Sequence, residues 1–106
     1  MNVLSVYINE IKLGELSFDG ANYIFKANDK NVEKANQKGY TPFLYNCESS
    51  WVSEVLPLSL QDFIPADEQI DLLMIADINP SDNDFEKLCK MASAKISKPN
   101  FHIEIE

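Results

Sequence analysis

"VLSVYINEIKLGELSFDGANYIFKA", residues 3–27, decides how the rest of the chain is read. Residues 3–8 and 11–16 are apolar with partial period-two alternation, Val6 and Ile8 facing one way and Tyr7 the other, the pattern of half-buried strands. Asn9-Glu10 between them is of turn type, and Asp19-Gly20 is a strong hairpin signal ahead of a further strand, "NYIFKA". Gly14 interrupts the second arm, where a lone glycine marks a bulge or a close backbone approach. The stretch therefore predicts a three-stranded meander over residues 3–27.

Outward from it the signals change. Residues 28–41, "NDKNVEKANQKGYT", are rich in lysine and asparagine and read either as a mobile loop or as a short polar helix around Asn31–Gln37. "PFLYNC" after it offers one more short strand. In "SEVLPLSLQDF" the period moves towards 3.6, with Val55, Leu56, Leu58, Leu60 and Phe63 able to cover one broad helical face. Ser53 is a candidate cap and Glu54 suits the first turn. Pro57 is tolerated near a helix start and not in its middle, so the helix is expected to begin near Leu56–Pro57 or to have a distorted first turn. Pro65 ends it by pushing Ile64 away from the α region.

Asp67 is a candidate N-cap for "EQIDLLMIADI", with Ile70, Leu73, Met74 and Asp77 on one face. Ser81 is a candidate cap for "DNDFEKLCKMASAK", acidic at its start and basic towards its end, with Phe85, Leu88, Cys89 and Ala92 as an amphipathic stripe. "NFHIEIE" alternates Phe101, Ile103 and Ile105 against His102, Glu104 and Glu106, a C-terminal strand with one wet face suited to a sheet edge. The expected fold is α+β, a small antiparallel sheet built from the N-terminal meander and the C-terminal strand, packed with about three helices. All 106 residues form one domain in this reading.

Composition narrows the function. Seventeen acidic against nine basic residues give a formal charge of −8, which argues against a binder of the nucleic-acid backbone. The acid excess suits solubility and is compatible with a basic protein partner. Cys47 and Cys89 have neither metal-ligand nor redox spacing, and read as thiols in a reducing compartment. The N-terminus lacks the basic n-region and apolar run of a signal peptide, and no stretch is long enough to span a membrane, so a cytoplasmic location is expected. His102, the one histidine, reads as an ordinary surface residue. Nucleotide-binding loops and a nucleophile elbow are absent, and the acid pairs Asp67/Glu68 and Asp82/Asp84 are explained by helix starts. The chain is accordingly expected to be no enzyme on its own and to need no metal or cofactor.

Val6, Tyr7, Asn9, Gly14 and Leu16 fit a V-Y-x-N-x-x-x-x-G-x-L pattern, and Tyr23 and Phe25 a Y-x-F strand. In these residues the chain resembles the N-terminal subdomain of HipA-type toxin kinases. The likeness continues more loosely through Gln61-Asp62-Phe63-Ile64-Pro65, where the family has F-x-N-L-[IL]-P, and through "INPSDNDFEKLCKMAS", where it has a D-x-x-x-L-L helix. Two departures stand out. Pro65-Ala66-Asp67 replaces the family's Pro-Glu-Gly, and the kinase core that follows in the full-length family has no counterpart here.

In three-gene systems of the family a small HipS-like product corresponds to this subdomain alone and binds a separate kinase, HipT. The resemblance therefore implies an antitoxin or regulatory subunit that inhibits a HipA/HipT-like serine/threonine kinase. The alternative it implies is the N-terminal structural half of a split kinase, needed to complete its fold. A HipB-like helix-turn-helix subunit is a further expected contact. For the interface, Trp51 is an aromatic anchor in the polar context "NCESSWVSE", or else a ring folded back over the core. Phe63 and Ile64 form an apolar knob or a helix end packed on the sheet, with Asp67 and Glu68 supplying charge beside them.

Overall fold

The computed structural model describes residues 3–64, 74, 76–79, 81–95 and 100–106. The meander forms as its alternation predicts: β1 (Val3–Ile8), β2 (Ile11–Phe18) and β3 (Tyr23–Ala27) pair antiparallel in sequence order. Asn9 makes the first turn with a left-handed φ of 50°, a conformation asparagine adopts readily. At the second turn the Asp19 side chain accepts hydrogen bonds from the backbone N–H groups of Ala21 and Asn22 at 2.9 and 2.7 Å, while Gly20 takes φ +100°.

Gly14 answers to both of its readings. The β1–β2 register shifts between Val6 and Tyr7, which pair with Gly14 and Lys12 and leave Leu13 as the extra residue of a bulge. A Cβ at Gly14 would also lie 2.3 Å from the carbonyl oxygen of Lys26 and 2.8 Å from the Phe25 ring. Only a residue without a side chain fits between these strands.

Two more strands complete the sheet, in the order β4-β3-β2-β1-β5. β5 (Phe101–Ile105) runs antiparallel beside β1 at one edge, as its alternation suggests. The other edge is β4 (Trp51–Ser53), which pairs with β3 and falls in a segment expected to be loop and helix cap. Between β3 and β4 the polar stretch is helical: α1 (Asp29–Gln37) is capped by Asn28, whose side chain accepts from the N–H of Asn31.

"PFLYNC" is not a strand. Residues Pro42–Tyr45 form a 3₁₀ turn closed by Asn46 in the left-handed region. Pro42 has no N–H to give a sheet, and the N–H groups of Leu44 and Asn46 are taken by Thr41 and Phe43 within the turn.

The helix expected in residues 53–63 shrinks to α2 (Leu58–Gln61), with Pro57 at its cap position. Ser53 does not cap it. Its hydroxyl instead donates to the Val55 carbonyl at 2.7 Å and accepts from the Val55 N–H at 3.2 Å. The Asp67-capped helix lies largely outside the described residues; Met74, which is described, is exposed. Later, α3 (Asp84–Ser93) is capped by Asn83 and not by Ser81, the Asn83 side chain accepting from the Glu86 N–H at 2.8 Å. Its buried side chains are Phe85, Leu88 and Met91, while Cys89 and Ala92 sit at the margin.

Strand alternation puts Leu4, Val6, Ile8, Leu16, Tyr23, Phe25, Phe101 and Ile103 on one face. They join Leu56, Leu60, Phe63, Phe85, Leu88 and Met91 in one buried cluster. The opposite face carries Ser5, Tyr7, Lys12, Glu15, Lys26, Val52, His102 and Glu104. The five-stranded antiparallel sheet and the three α-helices among the described residues make an α+β fold.

Candidate partner interface

Trp51 sits at the edge of this core and is half-buried. Its cross-strand neighbour in β3 is Phe25, and the two rings stack with centroids 5.8 Å apart. The indole N–H donates to the Asn46 carbonyl at 2.6 Å. The ring thus folds back on Phe25, as one of its two readings has it, with its one polar group already satisfied.

Asn46 organises the surroundings. Its left-handed backbone, φ 56° and ψ 34°, ends the 3₁₀ turn and turns its carbonyl to Trp51. Its side-chain oxygen accepts from the Ser59 hydroxyl at 2.6 Å, tying the turn to α2. One residue therefore holds three pieces of chain together. Cys47 follows it, wholly buried; its thiol donates to the Tyr45 carbonyl at 3.2 Å, and burial pushes its pKa up to about 12.

Around that knot the apolar side chains point out. Phe43, Leu44, Val52, Val55 and Leu58 are between 56% and 74% exposed. The single helical face expected from Val55 to Phe63 is divided: Leu56, Leu60 and Phe63 turn inward, Val55 and Leu58 outward. Neither a strand nor a long helix organises this stretch, so neither period sorts its residues. Sequence reasoning missed all five exposed side chains as interface candidates. The one available signal was the density of large apolar residues on both sides of Pro57.

The other expected interface residues lie elsewhere. Phe63 is buried and meets the ring of Phe101 edge-on, centroids 5.5 Å apart at 82°, so it belongs to the core and not to a protruding knob. Ile64 is half-buried against the same cluster. Asp67 and Glu68 fall outside the described residues.

The polar sheet face has its own order. Tyr7 and His102, cross-strand partners in β1 and β5, stack with centroids 4.7 Å apart and planes 3° from parallel. His102 Nε2 lies 3.1 Å from Glu104, and the histidine sits partly exposed on the polar sheet face, as its alternation suggests, with one side covered by Tyr7. Glu106 accepts from the Ser5 hydroxyl at 2.7 Å and from Lys12 Nζ at 2.5 Å. Hydrogen bonding with Glu15, then with Lys12 and Ser5, holds its carboxyl down at about 2. Lys38 in turn holds Glu10 below the usual carboxylate range through a 2.7 Å hydrogen bond.

Among the described residues no group of three or more His, Cys, Asp and Glu side chains is placed to hold a metal ion, and no helix is long and apolar enough to cross a membrane. No protein-family model, curated protein or solved structure matches this chain.

Proposed function

We propose that this chain is a non-catalytic binding subunit that docks on a separate protein kinase of the HipA/HipT-like type and inhibits it, acting as an antitoxin in the cytoplasm. The observation that carries the reading is the run of exposed apolar side chains along residues 43–58, with Phe43 and Leu44 in the turn and Leu58 in the helix that Asn46 ties together, and Val52 on the face of β4 opposite Trp51. Large apolar side chains held outward on an ordered scaffold suit association with another protein, the polar surroundings forming the rim. The choice of a kinase as the partner rests on the resemblance of residues 6–25 to the HipA-type N-terminal subdomain. The formal charge of −8 supports a basic partner surface and disfavours direct contact with nucleic acid. A buried Cys47 thiol suits a reducing compartment.

Inhibition in this reading comes from occupying a surface that the kinase needs for nucleotide, substrate or an activating segment. The test is to titrate the purified chain into a HipT-like kinase encoded beside it and follow autophosphorylation. The expected result is saturable loss of kinase activity with formation of a complex. Gain of activity would favour the fold-completing half of a split kinase, and absence of a complex would remove the proposal.

A further inference from the structure

β5 forms one edge of the sheet, and its outer side is the second place where the molecule offers unused binding capacity. The Asn9 N–H donates to the Asn100 carbonyl and the Glu106 N–H to the Val3 carbonyl. With the β1–β5 register these bonds fix the alternation: His102 and Glu104 turn their backbone groups towards β1, and Phe101, Ile103 and Ile105 turn theirs away. Among the described residues no strand pairs with that outer side. A groove of ≈ 630 Å³ runs along it, walled on the far side by Ala92, Ser93 and Lys95 at the end of α3. Ile105 beside it is 40% exposed.

We infer that the outer edge of β5 pairs antiparallel with the same edge of a second copy of this chain, centred on Ile103. The register follows from self-complementarity. With Ile103 opposite its own copy, Phe101 falls opposite Ile105, and all three outward-facing residues of each strand meet outward-facing residues, giving about six backbone hydrogen bonds. On the polar face the same register sets His102 of each copy opposite Glu104 of the other, a pair that already associates within the strand at 3.1 Å. A register centred one residue later would put Glu104 opposite Glu104. A two-fold axis through Ile103 keeps the polar faces of both copies on one side, and their ends of α3 on the other, so the two sheets become one of ten strands.

A five-residue edge buries less than a standard interface, so the dimer is weak and concentration-dependent. It is independent of the kinase reading, because it uses the opposite edge of the sheet from Trp51.

The test is sedimentation of the full chain between about 10 μM and 1 mM, a span suited to weak association, with residue-resolved amide exchange at both ends. The mass should rise from 12.0 kDa towards twice that value. The amides of Phe101, Ile103 and Ile105 should slow with concentration, while those of His102 and Glu104, already bonded to β1, should not change. Glu104→Lys should weaken association about tenfold by removing the acceptor opposite His102, and His102→Glu/Glu104→Lys should restore it by setting an ion pair in the same register. Ile105→Pro, which removes an outward N–H and no bond to β1, should abolish association without unfolding and serves where the charge variants fail to fold. A monomer at every concentration, a dimer with unchanged β5 amides, or outward amides already protected in dilute solution would each overturn the inference. So would edge protection that arises only on mixing with another protein.

Discussion

The meander at residues 3–27 and the segment at residues 43–64 are of similar length and both rich in large apolar residues, yet they use them in opposite ways. In the meander each strand's alternation agrees with its neighbours', so Leu4, Val6, Leu16 and Phe25 all reach one core and are essentially inaccessible. In the later segment a 3₁₀ turn, a three-residue strand and a four-residue helix follow one another. No element is long enough to impose a face, and side-chain and backbone hydrogen bonds through Asn46 do the organising instead. The contrast separates apolar residues that hold the fold from those left exposed.

The contrast breaks most readily in the meander. Phe25→Ala should cost about 3–5 kcal/mol, since it removes a wholly buried ring that supports Trp51; chemical denaturation measures it, and a loss under 1 kcal/mol would show that Phe25 does not hold the two regions together. Gly14→Ala should cost about 1–3 kcal/mol because the new Cβ collides with the Lys26 carbonyl and the Phe25 ring. Unlike Phe25→Ala it adds volume, so the same denaturation midpoint tests crowding in place of a cavity.

In the later segment the expected effects are smaller. Asn46→Gly keeps the left-handed backbone and the carbonyl bonded to Trp51 but deletes the Ser59 hydrogen bond; a loss of about 0.5–1.5 kcal/mol is expected. Leu58→Ser should leave the melting temperature nearly unchanged, because the side chain is exposed.

Acid provides a further contrast within the sheet. The Glu106 carboxyl has a folded-state pKa near 2, below the ordinary 4.5. Its contribution is therefore present above pH 4.5 and is lost as pH falls towards 2. Replacing it by Gln should flatten the acid limb of the stability–pH curve in that window and leave the curve near pH 7 and above parallel to that of the parent chain.

How much of this was legible beforehand follows from the same contrast. The meander could be read because period-two alternation and Asp19-Gly20 are local signals, and the C-terminal strand because His102, Glu104 and Glu106 alternate with Phe101, Ile103 and Ile105. The Tyr7–His102 stack could not, since it depends on a register between the two ends of the chain. The helical face expected from Val55 to Phe63 failed because Pro57 and the Ser53–Val55 hydrogen bonds delay the helix until Leu58, leaving too few residues for a 3.6 period to express itself. Trp51 could be singled out as an aromatic in a polar stretch, though it lies in β4 and not in a loop; the exposure of Val52 and Leu58 could not be read, because burial is the usual fate of such residues.

The proposal that most needs a test is that the exposed apolar residues of the turn and helix joined through Asn46 are covered by a kinase. Calorimetric titration of a HipT-like kinase with the parent chain and with Leu44→Ser/Leu58→Ser tests it directly. The account predicts a dissociation constant raised about tenfold or more by the double substitution, equivalent to about 1.4 kcal/mol, with both chains melting at the same temperature. Equal affinity for the two chains, or no binding by the parent, would contradict it.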